Sequence, residues 1–194
     1  GVALLIKLTS RGPVIYTQSR VGRNGRRFTI YKLRTMHHNC EVASGIRWAT
    51  KGDIRVTRLG KFLRVTHIDE LPQLINVIRG DMGLVGPRPE RPEIVTTLIQ
   101  AIPRYPLRHH VRPGVTGLAQ IQLPADTDIE SVRRKLALDL VYIRNSSLWL
   151  YLRIVLGHFL NVIRFSLRWI RVLLSMTGAT SIIALVHAGS SACA

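Results

Sequence analysis

The stretch that most constrains the fold spans residues 67–90 and reads HIDELPQLINVIRGDMGLVGPRPE. Apolar side chains recur there at the i, i+3, i+4 and i+7 spacing of one helix face, which predicts a helix over residues 71–79. Gly80 is the expected end of that helix. The glycines and prolines that follow predict a long, ordered loop. The apolar positions of the helix are Leu71, Leu74, Ile75 and Ile78.

Two adjacent acids, Asp69 and Glu70, stand just before this helix. If the helix begins near residue 70, Asp69 is its N-cap and Pro72 lies in the first turn, where a missing N–H costs little. The positive helix end would then keep Asp69 ionised, which suits a nucleophile or a Mg²⁺ ligand. Glu70 could reach the same metal ion at the helix start. A plain capping motif with one spare acid explains the same spacing.

A single arginine, Arg88, lies between two prolines in the loop that follows. The prolines restrict its backbone, and a rigid guanidinium presents a planar fork that matches a phosphate. An acid pair, a metal ion and a fixed arginine together describe a phosphoryl-transfer site. The further cations that could hold a pyrophosphate are Lys32, Arg34, Arg64 and Arg112.

A β-hairpin is predicted before this region, with strands over residues 14–20 and 27–34. The strands flank the sequence VGRNG, whose Asn-Gly pair is a strong hairpin signal. Alternation along the second strand places Lys32 and Arg34 on one face. Two cations side by side could clamp a phosphate there, or the face could simply be solvated.

The chain is strongly basic, with 28 Lys and Arg residues against 11 Asp and Glu and a net charge of +17. Such a charge implies polyanionic partners, namely nucleic acid, anionic lipid or phosphorylated substrates. A hydrophobic content of 46% is high for a soluble nucleic-acid binder and favours a membrane surface. The two cysteines, Cys40 and Cys193, lie far apart and form no disulfide framework, so a reducing compartment is expected.

The carboxyl-terminal part differs in kind, because no acid follows Asp139. On a helical wheel of residues 153–175, a narrow polar stripe lies on a broad apolar body that only His158 and Ser166 interrupt. Such a helix fits an anionic membrane interface, with a core helix that has one solvated edge as the alternative. The lack of neighbouring acids favours the interface. The stripe consists of Arg153, Gly157, Asn161, Arg164, Arg168, Arg171 and Ser175.

At the other end, the residues GVALLI form an apolar run that stops at Lys7. A bilayer span needs about 20 residues, so this run is too short to cross a membrane. We expect it to be the end of a longer run that began upstream. A membrane hairpin, a full span and an ordinary core helix would each fit.

Several stretches are recognisable in combination: KLTSRGPVIYTQSRVGRNGRRFTIYKLRTM, THIDELPQLINVIRGDMGLVGPRPE, RHHVRPGVTGLAQI and, more weakly, DLVYIRNSSLW. They resemble the bacterial sugar transferase family, the monotopic phosphoglycosyl transferases that initiate glycan assembly on a polyprenyl phosphate. The resemblance covers roughly residues 5–150 in the family's order. It implies a small, helix-dominated mixed α/β catalytic domain with a short β-hairpin, on the cytoplasmic face of the bacterial inner membrane.

The activity implied by the resemblance is transfer of a sugar 1-phosphate from a UDP-sugar to undecaprenyl phosphate, with release of UMP. Asp69 would be the nucleophile that forms a phosphosugar intermediate. Glu70 would assist with Mg²⁺, which the two acids would hold together. Arg88 would bind phosphate, Lys32 falls in the family's basic motif, and Arg64 precedes the acid pair at the usual place.

The resemblance also divides the chain. Residues 1–12 would be the end of a truncated re-entrant membrane helix, 13–150 the catalytic domain, and 151–194 an amphipathic tail on the membrane surface. Anionic membrane lipids are expected partners, nucleic acid is not, and a homodimer is compatible with the pattern. The sequence departs from the family where Tyr151 replaces an acid and where the tail begins.

Three hypotheses remain for the function. The first is the phosphoglycosyl transferase, whose sugar and polysaccharide pathway stay open. The second is a catalytically impaired membrane-surface remnant of that family, which would follow if the hairpin were missing and not merely cut off before Gly1. The third is a basic nucleic-acid-binding module, which explains the charge but not the acid pair. Aromatic residues total only 6%, and no base-stacking motif is visible.

Overall fold

The computed structural model describes residues 1–45, 48 and 52–176, so the predictions for Cys193 and for the end of the tail lie outside the described residues. Helices dominate this part of the chain, which confirms the helix-dominated mixed α/β class. The strands are β1 Ile15–Val21, β2 Arg27–Leu33, β3 Gly83–Val85 and β4 Gly114–Thr116. The helices are α1 Val2–Thr9, α2 Cys40–Ser44, α3 Arg58–Val65, α4 Gln73–Arg79, α5 Pro92–Ala101, α6 Leu118–Gln122, α7 Ile129–Arg144 and α8 Leu148–Met176. Short 3₁₀ turns cover Arg23–Gly25, Ile68–Glu70 and Tyr105–His110.

The predicted hairpin is confirmed, because β1 and β2 pair antiparallel from Ile15 opposite Leu33 to Val21 opposite Arg27. The turn between them needs two residues with positive φ. Asn24 has φ 55° and Gly25 has φ 74°, a conformation that asparagine and glycine adopt more readily than other residues.

The second sheet joins two segments that are distant in sequence. Strands β3 and β4 run parallel, with Gly83 opposite Gly114. A Cβ atom on Gly114 would collide with the backbone nitrogen of Gly86, and one on Gly117 would collide with its carbonyl oxygen. Only glycine permits this approach, which fixes the start of the Pro-Arg-Pro loop beside β4.

The hydrophobic core lies between β1, α5, α7 and the 3₁₀ turn that begins at Tyr105. Helix α7 begins with a capping box, in which the Asp128 carboxylate accepts a hydrogen bond from the Ser131 backbone N–H. The buried core residues are Val21, Val95, Leu98, Ile102, Tyr105, Val132 and Leu136.

Helix α4 is oriented with its apolar side outward. Its buried residues are polar, Gln73 and Asn76. The Asn76 side chain donates to the carbonyl of Thr29 at 2.7 Å and accepts from the N–H of Tyr31 at 3.3 Å, so it completes the open edge of β2. The predicted helix is confirmed from Gln73 onward, not from residue 71. The apolar positions that define the predicted stripe are exposed, namely Leu71, Leu74, Ile75 and Ile78.

Helix α8 is continuous and packs against the domain through a narrow side. Ile154 is buried, and the Asn161 amide donates to the carbonyl of Ile121 in α6 at 3.4 Å. Arg153 and Arg164 of the predicted polar stripe are exposed, and the side chains of Arg168, Arg171 and Ser175 lie outside the described residues. Much of the apolar body is also exposed, namely Leu152, Val155, Leu156, Phe159, Leu160, Ile163 and Leu167.

Helix α1 adds a third exposed apolar side. Ile6 is buried, whereas Leu4, Leu5 and Leu8 are exposed. Over the described ranges, none of the helices combines the length and the hydropathy that a membrane span requires.

Candidate active site

The acid pair lies in a 3₁₀ turn between α3 and α4, and both of its carboxylates are buried. His67 precedes the turn in the left-handed region, at φ 54°, and redirects the chain there. Helix α4 begins only after Pro72, which occupies the N-cap position without a side-chain hydrogen bond. The prediction that Asp69 caps this helix is therefore wrong, because the acid pair belongs to a separate turn that ends before the helix begins.

Glu70 is the centre of a charge network. Its Oε1 atom accepts hydrogen bonds from Lys32 Nζ at 2.8 Å and from Arg88 Nη2 at 2.7 Å. His67 Nδ1 lies 3.8 Å from the other carboxylate oxygen, too far for a hydrogen bond. Burial by itself would raise the pKa of Glu70, but Arg88 and Lys32 outweigh it and hold that pKa well below the usual value.

Asp69 differs from Glu70 in its hydrogen bonding and in the direction of its pKa shift. Its Oδ1 atom is buried and has no hydrogen-bond partner among the described residues. Burial and the neighbouring charge of Glu70 raise the pKa of Asp69 to about 6, against opposing contributions from Lys32 and Arg64. The expectation that a helix end would stabilise its charge is overturned, since the carboxylate is desolvated and lies off the helix. It remains mostly ionised at neutral pH, as a poorly solvated anion.

Arg88 is held at both its side chain and its backbone. The guanidinium binds Glu70, and the carbonyl oxygen accepts a hydrogen bond from Arg108 Nη2 at 3.0 Å. Arg108 in turn forms a buried ion pair with Asp139 of α7, at 2.7 Å. The sequence marked the flanking prolines but not Arg108 or Asp139, since no local pattern connects these residues to Arg88.

Two of the other predicted phosphate ligands, Arg64 and Arg34, line the cavity around the acid pair but make different contacts. Arg64 lines the cavity and donates from Nε to the Thr35 hydroxyl at 2.9 Å. Arg34 also lines the cavity, but its guanidinium is bonded to the carbonyls of Ser10 and Arg11. The structure thus brings Lys32 onto the acid pair and directs Arg34 toward the chain segment after α1.

Arg112 is the predicted ligand that the structure leaves outside the cavity. Its side chain lies just before β4, and it is not among the described residues that line the cavity around the acid pair. Any contact between Arg112 and a phosphate therefore stays a prediction.

The acid pair opens into a cavity of about 670 Å³. Besides the predicted residues, its wall includes Arg20 and Arg91, which were not predicted from the sequence. Tyr16, Gln18 and Arg20 all line it and alternate along β1. Ile15 and Thr17 of the other face of β1 line the cavity too, so alternation along the strand gave no clear signal for Arg20. The cavity is large enough for a sugar nucleotide.

Comparisons of the sequence with known proteins identify the family of this chain. The profile of the family described as Bacterial sugar transferase matches residues 1–165. A UDP-N-acetylgalactosamine-undecaprenyl-phosphate N-acetylgalactosaminephosphotransferase of Aeromonas hydrophila is 50% identical over 153 residues, which are 79% of this chain and 36% of that protein. A UDP-glucose:undecaprenyl-phosphate glucose-1-phosphate transferase of Caulobacter vibrioides is 49% identical over 156 residues, 79% of this chain and 58% of that protein.

These two relatives are longer than the part that matches, and this chain spans between about a third and three fifths of their length. The Exopolysaccharide production protein PSS of Rhizobium leguminosarum bv. phaseoli is 43% identical over 161 residues, and the match covers 80% of each chain. The family profile covers most of the sequence and contains the whole of the acid-pair cavity. The chain therefore belongs to the bacterial sugar transferase family.

Proposed function

We propose that this chain transfers a sugar 1-phosphate from a UDP-sugar to undecaprenyl phosphate and releases UMP, through a phosphosugar intermediate on Asp69. The observation that carries the proposal is the Asp69 carboxylate, which is buried, unpartnered at Oδ1 within the described part of the chain, and placed on a cavity rich in cations. A poorly solvated anion is a stronger nucleophile than one hydrogen-bonded to its surroundings. The names of the relatives from Aeromonas and Caulobacter support the same reaction.

The chemistry balances in two displacements. An oxygen of Asp69 attacks the phosphorus that carries the sugar, the bond from that phosphorus to the bridging oxygen breaks, and UMP leaves with the oxygen and its electron pair. A phosphate oxygen of undecaprenyl phosphate then attacks the same phosphorus. The bond to Asp69 breaks, which restores the carboxylate and yields the lipid diphosphate sugar.

Two cations near Asp69 are suited to bind the diphosphate. Arg88 uses Nη2 for Glu70, yet its side chain is 45% exposed and can also present nitrogens to a phosphate. Lys32 carries three donors and is mostly buried beside Glu70. Glu70 therefore serves as the counterion that keeps both cations in place before the substrate arrives.

Mg²⁺ is the proposed cofactor, and the residues present fit it. The orphaned Oδ1 of Asp69 is the kind of hard oxygen ligand that Mg²⁺ takes, and the hydrogen bonds from Lys32 and Arg88 both go to Oε1 of Glu70 rather than to Oε2. When bound, the ion would neutralise part of the diphosphate charge beside the carboxylates.

The test is an assay of UMP release from a panel of UDP-sugars, with the purified chain in detergent or nanodiscs. We expect UMP to accumulate with Mg²⁺ and undecaprenyl phosphate, and EDTA to abolish the reaction. Without the lipid acceptor, we expect about one equivalent of UMP and a protein mass increased by one phosphosugar. If no UDP-sugar yields UMP, the proposal is wrong, and the impaired remnant takes its place.

We also propose that the chain works at the cytoplasmic face of the bacterial plasma membrane, with anionic lipids as partners. The support is the set of apolar side chains that α1, α4 and α8 leave exposed to solvent. Among them, Ile78 of α4 is 87% exposed and Phe159 of α8 is 61% exposed. Apolar patches of this kind mark interaction surfaces, and the basic charge of the chain complements anionic headgroups.

Vesicle binding tests this surface with a matched pair of variants. We expect Ile78→Asp to lower the affinity for phosphatidylglycerol vesicles about tenfold, as measured by co-sedimentation, because it removes one apolar side chain from the lipid contact. Ile54→Asp is the control, since Ile54 is equally exposed, at 89%, but lies in a loop. Equal losses in both variants would contradict a lipid contact through α4.

A further inference from the structure

One histidine of α8 reaches the acid-pair turn from outside. The half-buried ring of His158 meets the ring of His67 edge-on, with centroids 5.0 Å apart and an angle of 73° between the planes. Edge-to-face geometry is a favourable arrangement for two rings. His158 also interrupts the apolar body of the helix, so its position has no explanation in the amphipathic pattern.

His67 is the residue on which this contact acts. It lines the cavity, directs Nδ1 toward the Oε2 atom of Glu70 at 3.8 Å, and immediately precedes the turn that carries both acids. Its φ of 54° lies in the left-handed region, which residues other than glycine seldom occupy. Such a conformation persists only where the surrounding contacts impose it.

The helix that carries His158 is anchored on both sides of it. Ile154, one turn earlier, is 1% exposed. Gly157 lies so close to Ile121 that an added Cβ would stand 3.3 Å from its Cδ1 atom, and Asn161 donates to the carbonyl of the same residue. His158 is therefore presented to His67 from a fixed segment of α8.

We propose that His158 is a positioning residue for the acid pair: its ring holds the His67 imidazole against Glu70, and so keeps the turn of Asp69 and Glu70 in its reactive arrangement. For its kinetic readout, the inference rests on the proposed transfer reaction. The carboxyl-terminal helix thereby supplies part of the active-site support and is more than a surface attachment.

The kinetic experiment compares His158→Ala with His158→Phe, which keeps an aromatic edge at the same place. We expect His158→Ala to lower kcat for UMP release roughly two- to twelvefold, with the KM for the UDP-sugar little changed, and His158→Phe to restore most of it. Arg153→Ala is the matched control, because this side chain lies on the same helix, is exposed and takes no part in anchoring α8 near His158. In a His67→Ala background, His158→Ala should have no further effect.

A second readout is independent of turnover. In a ¹H–¹³C spectrum, the His67 ring resonances should move in His158→Ala, which loses the ring contact, and stay in place in Arg153→Ala. Two results would overturn the inference: His158→Phe as slow as His158→Ala, or His67 resonances that ignore the loss of His158. A wild-type chain that releases no UMP would refute the transfer reaction, while the spectra would still decide the ring contact.

Discussion

Asp69→Asn is expected to abolish UMP release and, at the same time, to make the folded protein more stable. Turnover should fall by at least about a thousandfold, because the amide cannot act as the attacking oxygen. Stability should rise because the wild-type protein buries a charge at a cost in free energy. The pKa of Asp69 is raised to about 6 from its ordinary value of 3.8, so its charge costs on the order of 2–3 kcal/mol above pH 6.

The sign of this effect fixes its pH dependence. An acid whose pKa is higher in the folded state favours folding when protonated, so its contribution is most favourable below pH 3.8 and is lost as the pH rises to about 6. Urea unfolding at a series of pH values should therefore show that the variant exceeds the wild type in free energy of unfolding by an amount that grows as the pH rises across that window. Asp81→Asn, the same change at the far end of α4, is the control. A gap that does not depend on pH would contradict the buried-charge explanation.

Glu70→Gln is expected to change the stability of the folded protein in the opposite direction, by making it considerably less stable. The variant leaves Lys32 and Arg88, whose side chains are 16% and 45% exposed, beside each other without their shared counterion. Because Arg88 is partly solvated, we expect a loss near the lower end of the range for broken buried ion pairs, about 3 kcal/mol. The melting temperature should fall by roughly 6–12 °C, and turnover should fall with it because the phosphate-binding cations lose their anchor.

The pH dependence again follows from the direction of the pKa shift. The lowered pKa of Glu70 means that its contribution is present above the ordinary glutamate pKa and is lost as the pH falls through the folded value. The advantage of the wild type over Glu70→Gln should therefore shrink in acid. Glu130→Gln, which breaks an exposed pair with Arg133 at 3.9 Å, provides the comparison and should change little. Similar melting temperatures for the two variants would contradict the network described for Glu70.

Local features of the sequence predicted local structure well. The Asn-Gly turn and the end of α4 at Gly80 each depend on a few neighbouring residues, and each occurs where the sequence predicts it. The acid pair and Arg88 were also found, although the resemblance to the family, and not the spacing, ranked them above a plain helix cap. Their assigned catalytic roles remain proposals.

Features that depend on distant residues were missed or misjudged. Asp69 was expected to be stabilised by a helix end, but burial has the larger effect, and burial depends on every atom packed around the carboxylate. Arg108 and Asp139, which hold the backbone of Arg88, carry no local signal because their contacts join separate elements. His158 looked like a minor interruption of an apolar helix until the fold placed it against His67.

The sequence by itself determined local elements and chemical groups: the hairpin, the helix that ends at Gly80, the acids and the arginine between prolines. The tertiary structure decided which of these groups meet. Glu70 takes its two cations from positions 38 and 18 residues away. Arg34 instead donates to a backbone carbonyl after α1, and Arg112 is not among the described residues that line the cavity. The physical reason is that hydrogen bonding within a turn depends on neighbours in the chain. Charge pairing and desolvation depend instead on neighbours in space, which exist only once β2, the 3₁₀ turn and the Pro-Arg-Pro loop have packed together.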